Sequence, residues 1–263
     1  MSAVAAGKPK AKADRRELKL LSFNIQAGSS VEKYRHYITR SMQHVLPHPR
    51  KARNLNDIAK LAQQYDLVAL QEVDAGSLRT GFTNQVHYLA ERGEFPYWSH
   101  QANRRLGRIA ETSNGLLSRM EPSAVIDHRL PGAAGRGALE VRFGRARDGL
   151  RLIIAHLSLS ARARREQFGY LAEVIEDHPH VVLMGDFNCT LESGECHPLF
   201  ASSTLCAPKD PPYTFPSWAP QRAIDHILMS KTLQTVALET RPLLVSDHLP
   251  LATTVALPES CKL

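Results

Sequence analysis

Polar residues suited to metal binding and proton transfer stand at the ends of apolar segments in this sequence. In the clearest case, VVLMGDFN at 181–188, four apolar residues and a glycine precede Asp186 and Asn188. An extended chain through Phe187 would send both polar side chains to one face and turn Phe187 into the core. A carboxylate and an amide at the carboxyl end of a buried strand suit a phosphate, a metal ion or an attacking water. A plain polar turn uses the same residue types, so this segment alone leaves both interpretations open.

Five further segments repeat the pattern of an apolar run with a polar group at or near its end. They contain Asn24 in LSFNI, Glu72 in LQEV, His156 in AHLS, Asp225 in IDHIL, and Asp247 with His248 in SDHLP. One histidine or aspartate beside a strand is more often a hydrogen-bonded structural residue than a catalytic one. Six such places in one chain need another explanation, because each unpaired polar group buried with its strand would cost free energy. The pattern therefore favours one shared site at the strand ends.

The elements that must position these groups are short strands that alternate with helices. Apolar runs predict strands over Leu18–Ile25, Asp66–Val73, Ser113–Arg119, Val125–Leu130, Ala138–Phe143, Leu152–Ser158, Ala223–Met229 and Leu251–Leu257. Periodicity and capping residues predict helices over Val31–Val45, after the cap Asn54, over Asn84–Arg92 and after the cap Ser160. The loop PGAAGRG predicts that the strands on either side of it pair in antiparallel fashion. With no repeat and no linker in view, we expect one domain over residues 18–263 after a disordered basic tail over residues 1–17.

Composition and charge narrow the class of protein. The chain has 263 residues and a formal net charge of +7, so an anionic partner is in keeping with it: nucleic acid, a phosphorylated small molecule or an acidic membrane surface. No segment has the pattern of a signal peptide or the length of a transmembrane helix. We therefore expect a cytoplasmic protein with no transmembrane segment.

The cysteines are candidates for a second metal site. There are four of them, Cys189, Cys196, Cys206 and Cys261, and three lie with His197 in one loop-like stretch. A zinc site there is conceivable, but the spacings match no familiar zinc pattern. Reduced cysteines in a cytosolic protein are the simpler interpretation.

Taken in order, the six segments resemble the endonuclease/exonuclease/phosphatase superfamily, which includes deoxyribonuclease I-like and exonuclease III-like metal-dependent phosphohydrolases. The resemblance extends from Leu18 to about Leu257 and depends most on GDFN and SDH combined with QE and a strand-borne Asn. It implies an α/β (α+β) fold, a four-layer α/β/β/α sandwich. Two mixed β-sheets would pack face to face with helices outside, and the active site would lie where the sheet ends meet.

The resemblance also implies a metal site. Glu72 and Asn24 correspond to ligands of a divalent cation, with Asp247 contributing directly or through water. Oxygen ligands suit Mg²⁺ or Mn²⁺ better than zinc. The implied reaction is metal-assisted in-line attack of water on phosphorus without a covalent enzyme intermediate.

The remaining roles also follow from the resemblance. His248 corresponds to a histidine that acts as general base or contacts the phosphate, and Asp225 to the carboxylate that orients it. Asp186 and Asn188 would hold the attacking water and the phosphoryl oxygens. His156 would contact the phosphate or help to protonate the leaving oxygen. Asn114 is predicted as a further contact to the substrate phosphate.

The substrate is predicted from what surrounds the site. AHLS is the form seen in the deoxyribonuclease I, phosphatase and sphingomyelinase branches, whereas abasic-site endonucleases carry an Asn-x-Tyr-x-Pro stretch that this chain lacks. A polyanion is favoured by basic residues in predicted loops and helix starts, namely Arg104, Arg105, Arg108, Arg162, Arg164 and Arg165. We therefore predict a nuclease that acts on DNA or RNA, with nucleic acid as its substrate and no stable protein partner implied.

Two other functions stay open. One is a phosphatase or phospholipase C-type hydrolase of a small or lipid phosphoester, of the inositol phosphate or sphingomyelin class. If the substrate is a lipid, the segment with Tyr213, Phe215 and Trp218 is the best candidate for an apolar contact with the membrane. The same residues could equally stack on nucleobases. The other is an inactive binding module, which should have lost at least one site residue, and all are present. Substrate specificity is predicted to reside in Ser29–Arg53.

Overall fold

Two six-stranded mixed sheets form the centre of the molecule. The computed structural model describes residues 16–28, 49–106, 110–144 and 146–263. The strands are β1 Glu17–Asn24, β2 Leu67–Val73, β3 Tyr97–Leu106, β4 Ala110–Ser118, β5 Ala124–Arg129, β6 Gly137–Phe143, β7 Leu150–His156, β8 Val181–Asp186, β9 Leu205–Cys206, β10 Asp225–Ser230, β11 Gln234–Thr240 and β12 Leu251–Ala256. The helices are α1 Pro49–Ala62, α2 Gln85–Gly93, α3 Ala161–Ile175 and α4 His197–Ala201. Among the described residues, no helix has the length and apolar character needed to cross a membrane.

Strand order brings the predicted site residues to one edge. The first sheet runs β11-β12-β1-β2-β4-β3 and the second β5-β6-β7-β8-β10-β9. β1 and β2 are parallel, and so are β7 and β8, whereas their other neighbours are antiparallel. In the second sheet, Asp186 pairs with His156 on one side and with Asp225 on the other. The predicted antiparallel pairing around PGAAGRG is confirmed, since β5 pairs with β6.

The core consists of three apolar layers that alternate with the sheets. Alternate residues of each strand point to opposite faces, so each sheet has an inner and an outer apolar face. The inner faces meet in one cluster that includes Leu20, Leu67, Leu139, Ile154 and Met184. The outer face of the first sheet packs on α1 and α2. The outer face of the second packs on α3 through the predicted residues Phe168, Leu171, Ala172 and Ile175. The predicted four-layer sandwich is therefore confirmed.

Several predicted boundaries differ from the structure. Asn54 does not cap a helix, because α1 begins at Pro49, a residue that favours the first helical turn. Instead, the Asn54 side chain donates to the carbonyl of Gly28 at 2.9 Å. Asn84 is a true N-cap and accepts hydrogen bonds from Val86 and His87, whereas Ser160 stands at the N-cap position without a side-chain capping bond. Asn114 and Gly115 lie inside β4 rather than at its entry.

Other predictions fall on parts of the chain that are not described. The helix Val31–Val45 and residues 1–15 of the predicted tail lie outside the described residues, as does Arg108. Glu17, the last residue assigned to the tail, begins β1. The specificity segment Ser29–Arg53 is described from residue 49 onward.

Candidate active site

The predicted site residues converge where the two sheets meet at one edge. Asn24 ends β1, His156 ends β7, Asp186 ends β8 and Asp225 begins β10. The sheets are joined there by the Asn24 amide nitrogen, which donates to Asp186 Oδ2 at 3.0 Å. The predicted site residues at the strand ends therefore lie together at one edge.

Glu72 reaches this edge through an unusual backbone conformation. Its φ of 55° is left-handed, and the ladder between β2 and β4 shifts register between Leu70 and Val73. Such conformations are uncommon for non-glycine residues and concentrate at functional sites. Glu72 Oε1 lies 3.3 Å from the Asn24 amide nitrogen and 3.8 Å from His156 Nε2. Because its side chain is 34% exposed, Glu72 faces both the cluster and solvent.

Asp225 and His248 form a buried carboxylate–imidazole pair in the same cluster. His248 Nδ1 and Asp225 Oδ2 lie 2.8 Å apart, and the Thr214 hydroxyl accepts a hydrogen bond from the Asp225 backbone at 3.3 Å. The Phe215 ring packs on His248 with centroids 5.1 Å apart. Burial lowers the pKa of His248, but the charges of Asp225 and Asp186 outweigh it and raise the pKa to about 10. The imidazole is therefore positively charged at neutral pH.

Asp186 lies between the two histidines. Its Oδ2 atom is 3.5 Å from His156 Nε2 and 3.8 Å from His248 Nε2. Burial raises the pKa of Asp186 to about 7, the nearby charge of Asp225 acts in the same direction, and that of His248 opposes it. Gly185 is required just before it, because a Cβ there would lie 1.9 Å from the Ala155 carbonyl oxygen.

Asn188 does not continue the strand as predicted. β8 ends at Asp186, and Asn188 has a left-handed φ of 56°. Its backbone N–H donates to Asp186 Oδ1 at 2.9 Å, and its side-chain amide donates to the Leu157 carbonyl at 3.0 Å. Phe187 is fully buried, as predicted. Asn188 thus fixes the turn that orients Asp186.

The two histidines of the site have opposite protonation states at neutral pH. Burial lowers the pKa of His156 well below 6.5, and the positive charges of Arg136 and His248 lower it further. His156 is therefore neutral while His248 is charged. Pairs of titratable groups whose pKa values are shifted in opposite directions are typical of acid–base sites.

Four carboxylates converge here with little compensating charge. The ionic contacts of Glu72, Asp186 and Asp225 are to the two histidines, His156 and His248. Burial raises the pKa of Asp247, the charge of His248 opposes this effect, and the charge of Glu72 adds to it. An oxygen-rich group with excess negative charge fits a hard divalent cation.

The arrangement of possible metal ligands differs in detail from the prediction. The Asn24 amide presents its nitrogen to Glu72 and Asp186, while its oxygen accepts from the Gln26 backbone at 3.2 Å. Ligand atoms of Asp186, Asp225 and His248 all lie within 4.8 Å of one another. The tightest potential ligand group is thus the predicted catalytic trio. Metal binding by Glu72, Asn24 and Asp247 stays a prediction.

Asn114 is adjacent to the site and ties the two sheets together. Its amide nitrogen donates to Gln101 Oε1 at 3.2 Å and to the Gly137 carbonyl at 2.9 Å, and Gly137 pairs with His156. Its side-chain oxygen is buried without a hydrogen-bond partner. Both amide hydrogens are therefore used within the protein, and the predicted phosphate contact stays a prediction.

No role was predicted from the sequence for four residues that lie near the site. Gln26 donates to Asp247 Oδ2 at 3.3 Å, and Ser246 donates to the Asn24 carbonyl at 2.7 Å. Both had a usable signal, since Gln26 follows Asn24 at i+2 and Ser246 belongs to the SDH segment. Thr214 and Arg136 had none, because they reach the site from distant loops.

The structure weakens two predictions, the basic surface formed by arginines and the zinc site among the cysteines. Arg164 is buried and bonds to Glu195 at 3.0 Å, whereas Arg162 and Arg165 are exposed. The side chains of Arg104 and Arg105 lie outside the described part of the chain. All four cysteines are free, and the group of described residues that could hold a metal ion, Asp186, Asp225 and His248, contains no cysteine.

Comparison with known proteins supports the resemblance inferred from the motifs. Residues 21–248 match the Endonuclease/Exonuclease/phosphatase family. A search of curated protein sequences gave no significant match.

Solved structures with similar folds include three with informative descriptions. An endonuclease/exonuclease/phosphatase from Beutenbergia cavernae DSM 12333 has a TM-score of 0.72 and 20% identity, over 94% of this chain and 73% of that chain. A mannosyl-6-phosphatase from Bacteroides thetaiotaomicron VPI-5482 has a TM-score of 0.64 and 15% identity, over 91% and 100%. D. rerio TDP2 complexed with single strand DNA product has a TM-score of 0.64 and 17% identity, over 91% and 98%. At these identities the likeness establishes the fold.

Proposed function

Because the chain belongs to the endonuclease/exonuclease/phosphatase family, whose members hydrolyse phosphoric esters, we propose that it is a metal-dependent phosphodiesterase that cleaves DNA or RNA. The observation that carries this proposal is the buried Asp186–Asp225–His248 trio, in which His248 Nδ1 lies 2.8 Å from Asp225 Oδ2, beside the partly exposed carboxylate of Glu72. An inactive binding module would have no use for this concentration of buried charge.

The protonation states assign roles to the chain's own groups. The charged His248, fixed by Asp225 at 2.8 Å, donates from Nε2 to a phosphoryl oxygen. Asp186, with a pKa of about 7, accepts a proton from the attacking water. The water oxygen bonds to phosphorus, the ester bond breaks, and the leaving oxygen takes a proton from solvent. The neutral His156 contacts the phosphate as a hydrogen-bond donor, because it has no spare proton to give.

A divalent cation completes the site. Glu72 and Asp247, with Asn24, would hold Mg²⁺ or Mn²⁺, which neutralises negative charge on the phosphoryl oxygens. Gln26, which donates to Asp247 at 3.3 Å, would orient that carboxylate.

Nucleic acid as the substrate is supported by charge and by one structural neighbour. The net charge of +7 favours a polyanion, and the exposed Arg162 and Arg165 are available to phosphates. D. rerio TDP2, which shares the fold, was crystallised with single strand DNA product.

A lipid or small phosphoester is the second candidate, favoured by exposed apolar side chains. Loops at the catalytic end of the sheets carry five of them, namely Leu78, Phe82, Leu159, Tyr213 and Leu244. Phe82 is 65% exposed at a left-handed φ of 62°, in a loop anchored by hydrogen bonds to Asp74. Exposed apolar residues near a polar site are typical of contact with lipid. The mannosyl-6-phosphatase neighbour adds sugar phosphates to this candidate.

A hydrolysis panel distinguishes the candidates. Single- and double-stranded DNA, RNA, an inositol polyphosphate, mannose 6-phosphate and sphingomyelin vesicles are incubated with Mg²⁺, Mn²⁺ or EDTA. We expect nucleic acid cleavage that EDTA and Glu72→Gln abolish while the variant stays folded. Turnover of a small or lipid ester alone would keep the mechanism and replace the substrate. Cleavage unaffected by both EDTA and Glu72→Gln would overturn the metal-dependent proposal.

We also propose that the enzyme acts in the cytoplasm. The sequence has four cysteines and no CxxC pair, a usage in keeping with a compartment where thiols are kept reduced. Fractionation of the native host, with the protein detected by antibody, tests this localisation.

A further inference from the structure

We propose that Cys189 and Cys196 are a site of reversible oxidation, at which a peroxide joins their sulfurs in a disulfide within the loop that follows Asn188. The mechanism above does not use either thiol. The chemical modification is independent of the proposed function, and only its effect on turnover rests on that function.

The distance between the sulfurs is the main evidence. Cys189 Sγ and Cys196 Sγ are 3.8 Å apart and both side chains are buried. A disulfide requires about 2.05 Å, so a displacement of roughly 2 Å shared by the two sulfurs closes the bond. The intervening chain consists of turns and a short 3₁₀ segment, Gly194–Cys196, rather than a strand of either sheet. Local adjustment of this loop therefore suffices.

The surroundings of the pair distinguish the two thiols. The Cys196 sulfur lies 3.6 Å from the Ser193 hydroxyl and 3.6 Å from the Thr190 carbonyl. The hydrogen bond with Cys189 lowers the pKa of Cys196, burial opposes this, and the bond from Ser193 supports it. The same thiol–thiol bond raises the pKa of Cys189, as does burial. Because Cys196 has the additional polar contacts to Ser193 and Thr190, we assign it as the thiol that reacts first and Cys189 as its resolving partner.

The chemistry balances with hydrogen peroxide as the oxidant. The Cys196 thiolate attacks one peroxide oxygen, so an S–O bond forms, the O–O bond breaks and hydroxide leaves. The Cys189 sulfur then attacks the sulfenic sulfur, so the S–S bond forms and the S–O bond breaks, with water as the product. The two thiols lose two electrons, and peroxide is reduced to two molecules of water. An added dithiol reverses the modification by exchange.

The position of the loop connects this bond to the active site. Cys189 directly follows Asn188, whose side chain bonds to Leu157 and whose N–H bonds to Asp186. The Cys189 carbonyl accepts a hydrogen bond from His226 Nε2 at 2.9 Å. Movement of Cys189 toward Cys196 therefore displaces the turn that orients Asp186. Because displacements near 1 Å in an active site are costly, we expect turnover to fall by about tenfold.

Mass spectrometry of the oxidised protein tests the modification directly. The full chain is treated with hydrogen peroxide, blocked with an alkylating reagent and digested. We expect a peptide linked through Cys189 and Cys196, while Cys206 and Cys261 stay unlinked. Cys206→Ser, a change at an exposed thiol, is the matched control and should give the same linked peptide. Absence of the 189–196 link while Cys206 is oxidised, or a link through Cys206, would overturn the site.

Turnover gives a separate readout. We expect peroxide to lower hydrolysis by the wild type and dithiothreitol to restore it, whereas Cys196→Ser should resist peroxide. A 189–196 link without loss of turnover would overturn the effect on the active site. If no substrate is turned over at all, the proposed function fails, yet the mass measurement on wild-type protein still decides the site. That measurement needs no variant, so a misfolded Cys196→Ser protein would not affect it.

Discussion

Two buried carboxylate–histidine clusters in this molecule contain similar groups and have opposite electrostatics. The first is the candidate active-site trio of Asp186, Asp225 and His248. The second, on the outer face of the second sheet, is centred on Glu140 and is called the Glu140 cluster: His128 lies 2.8 Å from Glu140 Oε2, and Arg142 and Arg151 lie 2.7 and 3.2 Å from Oε1.

The pKa shifts show how differently the two clusters are balanced. Burial tends to raise the pKa of Glu140, but hydrogen bonds from Arg142 and His128 and the charges of Arg151 and Arg142 outweigh it, so the net shift is downward. Asp186 has no arginine partner among the described residues, and its pKa rises to about 7. The chain neutralises the Glu140 cluster itself. At the candidate site the ionic contacts of Asp186 and Asp225 are to histidines instead of arginines, which is the physical difference between the two clusters.

The largest expected effect separates the two histidines. His248→Ala should lower kcat/KM by about 10²–10⁴-fold, because it removes the charged group aimed at the phosphate. His128→Ala should leave kcat/KM within about twofold of wild type, because an effect on folding does not alter the site in molecules that remain folded. Steady-state kinetics with Mg²⁺ on the substrate identified by the panel measures both. Similar losses in the two variants would remove the functional distinction between the clusters.

The next largest expected effect is a difference in the free energy of unfolding between variants of Glu140 and Asp186. Glu140→Gln should lower the free energy of unfolding by about 3 kcal/mol, because it leaves the partly buried Arg151 without its counter-charge. Asp186→Asn should leave the metal-free protein equally stable or more stable at neutral pH, because it removes a charge that burial disfavours. Urea unfolding in EDTA measures both changes. A loss in Asp186→Asn as large as that in Glu140→Gln would mean that the active-site charge is compensated after all.

A divalent cation should stabilise the active-site end alone. At a free Mg²⁺ concentration of about 100 times the dissociation constant, the free energy of unfolding should rise by about 2.7 kcal/mol. Glu72→Gln should abolish most of this rise, whereas Glu140→Gln, although less stable overall, should keep it. Thermal unfolding with and without Mg²⁺ provides the comparison. A rise that persists in Glu72→Gln would place the cation elsewhere.

The strands and the meeting of their polar ends could be predicted from the sequence for one physical reason, whereas the four-layer fold was predicted from the family resemblance. A buried strand appears as an apolar run, and a polar residue at its end can be located to within a residue or two. Parallel and antiparallel pairing then brings such ends together, as it does for His156, Asp186 and Asp225. The prediction for Phe187 succeeded for the same reason.

What could not be predicted depends on contacts between distant parts of the chain. Arg164 lies on a helix where exposure is the ordinary outcome, and its partner Glu195 is 31 residues away. Glu140 and Arg142 are two residues apart on β6, a spacing that predicts only that they share a face of the sheet. Their contacts with His128 and Arg151 depend on the pairing of β6 with β5 and β7. The left-handed turn at Asn188 and the direction of the Asn24 amide likewise depend on packing around them.

The smallest expected effect is a difference in pH dependence between the clusters. Asp186 has a folded-state pKa of about 7, above its ordinary 3.8, so its stabilising contribution is complete below about 3.8 and is lost as pH rises toward 7. His248 acts in the same direction, since its pKa rises from 6.5 to about 10 and its contribution is lost as pH rises through that range. Glu140 acts in the opposite direction: its pKa is lowered, so its contribution is complete above 4.5 and is lost as pH falls through the lower folded-state value.

Between about pH 6 and about pH 5, Asp186 is therefore the group among these three whose proton binding differs most between the folded and unfolded states. Acidification over that interval should increase the contribution of Asp186 to the free energy of unfolding of the metal-free protein by about 1 kcal/mol, just under the limit of about 1.4 kcal/mol per pH unit for one proton. Buried histidines with a lowered pKa, such as His156, act in the opposite direction in the wild type and in the Asp186 variant alike. Asp186→Asn should remove the Asp186 contribution from the slope, while Glu140→Gln should leave it intact and reduce the loss of stability at more acidic pH. Urea unfolding at closely spaced pH values in EDTA measures both slopes. If Asp186→Asn kept the wild-type slope, the proton would reside on another group, and the assignment of Asp186 as the proton acceptor in catalysis would lose its electrostatic basis.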